Sequence, residues 1–382
     1  MDFTLSEAQE ELAGLARKIL TEQDAPWADL AAAGVLAAGL PEALGGAGLG
    51  LLEECSVLTE LGRAVSDVPY LASIVLGAGA IAGFGSPSQQ ARWVVPAGRG
   101  SVVLTAALAE EDGDDPRLPS ASAVRRDGRW VLSGVKTAVP AAPRADLFLV
   151  PAASPDGVLV FLVSPADDGV SVQPQQLTDF AEAGRVVLDG AGLDDDRVLG
   201  PGRGAEVTRW LVSRATVGLC AAQAGVVERA LELTAEYARS REQFGRPIGS
   251  FQAVAQRLAD AYVDVEAARL TMWQAAWRLA AGESGPAVDA VVATAKFWAA
   301  DAGHRVAHTA VHVHGGLGID TSYPVHRYFV AAKHNEFTLG GATAQLRRIG
   351  AALARGGLAR GGLAGGGLAR GGLGEAAHPI LP

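Results

Sequence analysis

Residues 241–248 read REQFGRPI, and this segment separates two long stretches in which apolar residues recur at helical spacing. Four such stretches follow the middle of the chain, at about 206–240, 251–281, 287–313 and 324–353. Pro286 is suited to the first turn of the third stretch, because proline is tolerated at the first helical position. Four helices of this length are typical of an antiparallel bundle. Residues 205–354 are therefore predicted to form a C-terminal four-helix bundle.

Two regions of different character come before this bundle. From Thr4 to about Gly83 the apolar residues again recur at helical spacing. After Ser101, short β-rich runs such as WVLSGVKTAV and GVLVFLV are separated by turns, including Asp127-Gly128. We therefore predict a helical N-terminal domain over residues 1–100 and a central antiparallel β domain over 101–204.

The composition of the chain limits its class of partner. Of 382 residues, 49% are hydrophobic and 19% are charged, so the chain is long enough to bury a large core in two or three domains of a soluble globular protein. The formal net charge is −10, which does not supply the basic face that phosphate attraction needs. Nucleic acid and anionic membranes are therefore not expected partners.

The cysteines and the first residues indicate a compartment. Cys55 and Cys220 lie in apolar helical contexts without a partner motif, so two buried, reduced thiols are expected. The first twenty residues, MDFTLSEAQEELAGLARKIL, do not place a basic region before an apolar cleavable core. No uninterrupted apolar stretch of about 18 residues of the membrane type occurs. We expect a cytoplasmic protein.

The end of the chain repeats a pentapeptide, ARGGL, ARGGL, AGGGL and ARGGL, from Ala354 to Leu373. Each glycine costs a helix about 1 kcal/mol, and the pattern has too few large apolar residues for a core. Residues 355–382 are predicted to be a low-complexity, flexible tail.

Three motifs occur in a fixed order along residues 1 to 350. The first comprises Gly39-Leu40-Pro41-Glu42, Leu44-Gly45-Gly46-Ala47-Gly48, Glu53-Glu54 and Glu60-Leu61-Gly62-Arg63. The second comprises Tyr237-Ala238, Arg241 to Ile248 and Phe251-Gln252. The third comprises His314-Gly315-Gly316-Leu317-Gly318, Tyr323 to Arg327 and Lys333. Together they resemble the acyl-CoA dehydrogenase family of flavoproteins. The resemblance implies an α+β protein with the acyl-CoA dehydrogenase fold, acting as an oxidoreductase on acyl-CoA.

The same resemblance implies a tetramer in which neighbouring subunits share each FAD. The residues it assigns to the cofactor are Arg241, Phe244, Gln252, His312, Gly315 and Gly316. The Arg241 guanidinium would pair with the pyrophosphate, and Gln252 would bond a polar edge of the cofactor. The backbone at Gly315 and Gly316 could approach the dinucleotide closely. The alternative is that Arg241 caps a helix and the glycines form a plain turn.

The resemblance also implies α,β-desaturation of an acyl-CoA thioester. A carboxylate takes the α-proton while the β-hydrogen leaves as hydride to the flavin. In most members this base is a glutamate shortly after the residue that matches Lys333, and Leu339 stands there in this chain. In a minority the base lies early in the first long C-terminal helix, where this chain has Ala215-Thr216. Neither position holds a carboxylate.

Two other carboxylates are weak replacements for the missing base. Glu336 precedes Leu339 by three residues, a displacement of several ångströms that breaks a proton-transfer contact of about 3 Å. Glu206 reaches the second position only if the helix register shifts by more than two turns. We assign no catalytic residue and no metal site, because His304, His308 and His312 have no carboxylate or cysteine to complete a ligand set.

The segments that match the flavin-ring side of the family also depart from its pattern. Apolar residues 106–109 stand where the family has a Thr-Glu-Pro-like run, and 138–140 read Ala-Val-Pro in place of an aromatic-Ile-Thr run. His312 replaces a glutamine and Val330 an arginine. On the adenine side Arg241, Phe244 and Gln252 remain.

This asymmetry favours a base-lacking subunit of a heterotetramer, like the non-catalytic chains of dehydrogenases that act on steroid side-chain CoA esters. Its partners would be a catalytic homologous subunit, an acyl-CoA substrate and an electron-transfer acceptor. Two alternatives stay open: a self-sufficient homotetramer with an unrecognised base, and a purely structural subunit.

Overall fold

A computed structural model describes residues 3–22, 26–113, 115–179 and 181–354 of the chain. The predicted flexible tail, residues 355–382, lies outside this part. The chain first forms helices, which are α1 (Glu7–Glu22), α2 (Pro26–Ala32), α3 (Leu51–Ala64), a π-helix (Tyr70–Ala78), α4 (Gly79–Phe84) and α5 (Pro87–Gly98). Ser86 caps α5, since its side chain accepts from Gln89 N, the Gln89 side chain accepts from Ser86 N, and Pro87 starts the helix.

An eight-stranded sheet follows the helices. Its strands are β1 (Leu104–Ala106), β2 (Ser122–Arg126), β3 (Arg129–Pro140), β4 (Leu147–Ser154), β5 (Gly157–Val163), β6 (Val170–Gln176), β7 (Glu182–Leu193) and β8 (Val198–Leu199). The order is β6-β7-β3-β2-β4-β5-β8, and β1 pairs with β4.

The sheet is mixed, so the prediction of an antiparallel β domain is wrong for two of its pairings. Strand β1 runs parallel to β4, with Leu104 opposite Leu147, and β2 meets β4 in parallel at Ser122 and Ala153. A parallel pair needs a crossover of a dozen residues or more. Residues 107–146, which contain the β2–β3 hairpin, form that crossover.

The last region is helical. Its helices are α6 (Gly204–Ser240), α7 (Gln252–Ala280), α8 (Pro286–His314), α9 (Pro324–Phe337) and α10 (Ala342–Ala354). The short strands β9 (Glu242–Gln243) and β10 (Arg246–Pro247) pair between α6 and α7. The predicted fourth helix, 324–353, is therefore two helices. The break occurs because Leu339 and Gly340 have φ of 59° and 92°, a left-handed backbone that ends a helix.

Helix α6 is the central element of the core. It packs on α3 so closely that a Cβ at Gly62 would fall on the Ala222 carbonyl oxygen, and a Cβ at Gly225 on that of Thr59. It is long and apolar enough to cross a membrane, but 78% of its most apolar window is buried inside the protein, as in the core helix of a folded domain.

The two thiols are where the sequence predicts them. Cys55 and Cys220 are free and fully buried. Burial raises the pKa of the Cys220 thiol to about 12, so the reduced, protonated form is favoured.

Candidate functional site

A cavity of about 380 Å³ lies where α6, α8, α10 and the loop before β2 meet. Among its lining residues are Thr216 of α6, Asp289 of α8, Gln345 of α10 and Arg117 of the loop. Thr216 belongs to the second of the two positions at which the family places its base. Both candidate base positions are thus close to one cavity, because Gln345 also donates a hydrogen bond to the Leu339 carbonyl oxygen.

The turn at Leu339 is fixed by α10. Gln345 Nε2 donates to the carbonyl oxygens of Leu339 and Gly340, at 3.1 and 2.9 Å. The Leu339 side chain is partly buried and packs against the main hydrophobic core. An alkyl side chain accepts no proton, so this turn presents no base.

Lys296 of α8 holds the end of α9, just before the turn at Leu339. Sequence reasoning did not identify this residue. Its fully buried ammonium group donates to the carbonyl oxygens of Asn335 and Glu336, at 3.0 and 3.1 Å, in the last turn of α9. Burial lowers the pKa of Lys296 to about 8. A single lysine within the apolar run 290–300 was the available signal.

Neither of the two weak candidates is free to act as a base at the cavity. Glu336 Oε2 lies 2.5 Å from Lys333 Nζ, and both carboxylate oxygens lie 3.3 Å from His304 Nδ1. Glu206 is exposed and paired with Arg203 through two hydrogen bonds of 2.7 and 2.8 Å. It precedes Ala215 by nine residues, roughly 14 Å along the helix.

Among the carboxylates of the described residues, Glu54 has a pKa raised toward neutrality. Burial raises the pKa of Glu54 to about 7, against the opposing charge of Arg214. The residue belongs to α3 and packs on Gly39, where an added Cβ would meet its carboxylate. Glu54 does not line the cavity, whose α6 residues are Val212, Ser213 and Thr216.

On the predicted flavin-ring side, the chain's own groups occupy the hydrogen-bonding positions. Ala138 has φ of 48°, and its N–H donates to Gln175 Oε1 at 2.7 Å. Gln175 Nε2 in turn donates to Thr137 Oγ1 at 3.1 Å. Pro140 has no N–H, and the Ala107 N–H is used by the Leu149 carbonyl oxygen.

A buried ion pair lies beside this segment. Lys136 is fully buried, and its Nζ is 2.6 Å from Glu110 Oε1, whose side chain is 4% exposed. Glu110 also accepts hydrogen bonds from Ser120 N, Ser120 Oγ and Ala121 N. Burial alone would raise the pKa of Glu110, but Lys136 and these donors outweigh it and lower the pKa to about 2.

On the predicted adenine side, the β9–β10 hairpin projects into solvent. Phe244 is 93% exposed with φ of 53°, and the Arg241 and Gln252 side chains are exposed. The Arg241 N–H caps α6 by donating to the Tyr237 carbonyl oxygen at 2.8 Å. Arg241 therefore does cap a helix, as the alternative interpretation predicted, but it does so through its backbone and leaves the side chain exposed.

The glycine turn after α8 is also open. Gly315 has φ of 63°, and a Cβ added at Gly315 or Gly316 would meet no heavy atom within 4 Å. The side chain of His312 is exposed. The structure therefore leaves room beside this backbone for a ligand or a neighbouring subunit. His304 and His308 of the same helix contact each other with ring centroids 4.4 Å apart and an interplanar angle of 43°.

Comparison with known proteins gives the family. Residues 5–101 match the acyl-CoA dehydrogenase N-terminal domain, and residues 202–354 match the acyl-CoA dehydrogenase C-terminal domain. The acyl-CoA dehydrogenase FadE27 of Mycobacterium tuberculosis is 50% identical over 376 residues, which cover 93% of this chain and 99% of the relative.

Two solved structures are similar over the same length. In the crystal structure of the ChsE4-ChsE5 complex from Mycobacterium tuberculosis, the matching chain is 49% identical with a TM-score of 0.87, covering 93% of this chain and 99% of that one. In a variant of the Tcur3481-Tcur3483 steroid ACAD, it is 40% identical with a TM-score of 0.85 and the same coverage. Enzymes of this family are FAD-binding flavoproteins, which confirms FAD as the family's cofactor. Because both domain models match and the three motifs occur in the expected order, this chain belongs to the acyl-CoA dehydrogenase family.

Proposed function

We propose that this chain is the base-lacking subunit of a heterotetrameric, FAD-dependent acyl-CoA dehydrogenase. One observation carries the proposal: the two positions where a base is expected hold Leu339 and Ala215-Thr216, and none of these side chains accepts a proton. The α,β-desaturation then takes place in the pocket of a homologous partner that supplies the carboxylate.

The residues of this chain fit one half of an FAD site. When bound, FAD supplies the hydride acceptor for the reaction. Arg241 has the exposed, planar guanidinium that suits a pyrophosphate, and the open backbone at Gly315 and Gly316 suits close approach. Gln252 and Phe244 lie exposed in the segment of Arg241. The ring side does not fit, because Gln175 already holds the Ala138 N–H.

The relatives favour the same assignment. Both similar structures carry a pair of names, ChsE4-ChsE5 and Tcur3481-Tcur3483, and the second is described as a steroid ACAD. We therefore propose the CoA thioester of a steroid side chain as the substrate of the complex. An electron-transfer protein would reoxidise the flavin.

Flavin content gives the first test. Purified alone, the chain is expected to hold well under one FAD per polypeptide, because its ring-side donors are occupied. Co-purification with the catalytic homologue should give about one FAD per pair of chains, by absorbance after denaturation. A yellow assembly of this chain alone with one FAD per chain would contradict the proposal.

Replacement of Arg241 by alanine is expected to weaken FAD retention by the assembled complex about tenfold or more. Hydrogen bonds to charged groups contribute about 1.5–3 kcal/mol, which sets this scale. Arg239→Ala, two residues earlier and also exposed, is the matched control and should leave retention unchanged. Equal flavin content in wild type and Arg241→Ala after gel filtration would show that Arg241 does not bind the cofactor.

Glu54 does not support the self-sufficient alternative. Burial raises its pKa to about 7, but its side chain does not line the cavity beside Thr216 and Gln345, so it has no contact with a substrate there.

A further inference from the structure

His314 is the first residue of the third motif, and its ring packs against Tyr237 of the second. Its ring stacks on Tyr237 with centroids 4.3 Å apart and an interplanar angle of 22°, and it also contacts Tyr323 at 5.4 Å. His314 is 4% exposed and ends α8 directly before Gly315. Tyr237 lies in the last turn of α6, and its carbonyl oxygen accepts the Arg241 N–H. One aromatic stack therefore joins the Gly315 turn to the Arg241 hairpin.

The imidazole is held in one orientation and one protonation state. Nδ1 lies 2.8 Å from the Ala310 carbonyl oxygen, which only accepts, so Nδ1 carries the proton. The Nε2 atom is buried and has no hydrogen-bond partner among the described residues. Burial lowers the pKa of His314, so the ring is neutral near pH 7. A neutral, fixed ring acts by packing rather than by charge.

We infer that His314 is a positioning residue for the FAD site, which through its stack on Tyr237 sets the Gly315 turn against the Arg241 hairpin. The residue is buried, and the inference assigns it no contact of its own with the cofactor or the substrate. It acts through Arg241 and the Gly315 backbone, and the inference therefore rests on the proposed shared FAD site.

The stack is tested by paired variants in the assembled complex. His314→Ala removes the ring and is expected to lower FAD affinity about tenfold. His314→Phe keeps the stack without the ring nitrogens, so its affinity should stay within about twofold of wild type. His308→Ala, six residues earlier and exposed, is the control and should have no effect. FAD affinity is measured by fluorescence titration of the deflavinated complex, together with the melting temperature.

The result that overturns the inference is wild-type FAD affinity in His314→Ala, or a loss in His314→Phe as large as in His314→Ala. If His314→Ala does not assemble, Tyr237→Leu removes the opposite ring and is read in the same way.

A double-mutant cycle separates positioning from general destabilisation. Since His314 acts through Arg241, the loss in Arg241→Ala/His314→Ala should be smaller than the product of the two single losses. A fully multiplicative loss would mean that the stack does not act through the hairpin. If Arg241→Ala itself has no effect, the proposed shared FAD site at Arg241 fails; if only the His314 variants have none, the stack inference alone fails.

Discussion

Purified without a partner, this chain is expected to catalyse acyl-CoA dehydrogenation at least about 10²- to 10⁴-fold more slowly than an enzyme that has the base. That factor is the usual contribution of a general base to the rate. The physical reason is the alkyl side chain of Leu339, held by Gln345 in a left-handed turn against the core. The assay follows reduction of an artificial electron acceptor with acyl-CoA substrates, including steroid side-chain esters.

Leu339→Glu alone should not restore turnover. The new carboxylate would lie at the usual position, but the flavin-ring side would still lack free donors. Gln175 already accepts the Ala138 N–H, and Pro140 has no N–H. Leu339→Gln is the matched control for folding. Turnover by the unmodified chain, with reduction of the acceptor, would instead point to a base among its own carboxylates.

Replacement of Lys136 by methionine is expected to reduce the free energy of unfolding by about 3–5 kcal/mol, the range for breaking a buried ion pair. The loss is large because Glu110 would remain buried without its cation, although Ser120 and Ala121 still donate to it. Chemical denaturation measures the change. The control is Arg129→Ala, which breaks an exposed pair with Asp194 and should cost about 0–1 kcal/mol.

The double variant Lys136→Met/Glu110→Leu should be more stable than either single variant, because neither charge is left unpaired. The pH dependence follows from Glu110, whose folded pKa of about 2 lies below its ordinary value of 4.5. Its contribution to stability is present above about pH 4.5 and is lost as pH falls toward 2. A Lys136→Met variant as stable as wild type would show that the pair is not a stabilising contact.

The helical part of the fold follows from local periodicity, and the exceptions are set by contacts that periodicity does not contain. The apolar spacing predicts α6, α7 and α8 to within two residues. It also predicts one helix over 324–353, because the left-handed backbone at Leu339 is stabilised by Gln345 and does not show in the apolar pattern. The parallel pairing of β1 with β4 depends on contacts more than 40 residues apart.

The candidate site can be predicted from the sequence only in part, because some of its contacts join residues that are distant along the chain. Arg241 and Gly315 can be named from motifs, but their connection through Tyr237 and His314 exists only after α6 and α8 pack together. Gln175, which occupies the ring-side N–H of Ala138, lies on a strand 37 residues away and belongs to no motif. Long-range hydrogen bonds of this kind leave no local pattern in a sequence.

The most direct test of the base-lacking assignment uses the assembled complex with its catalytic homologue. The partner's carboxylate base is changed to the corresponding amide, this chain is left unaltered, and turnover is measured at saturating acyl-CoA and matched flavin content. Our account predicts that the whole complex loses activity by about 10²-fold or more, because every productive pocket uses the partner's base. Retention of about half of the activity would show that this chain supplies a base of its own, and would contradict the account.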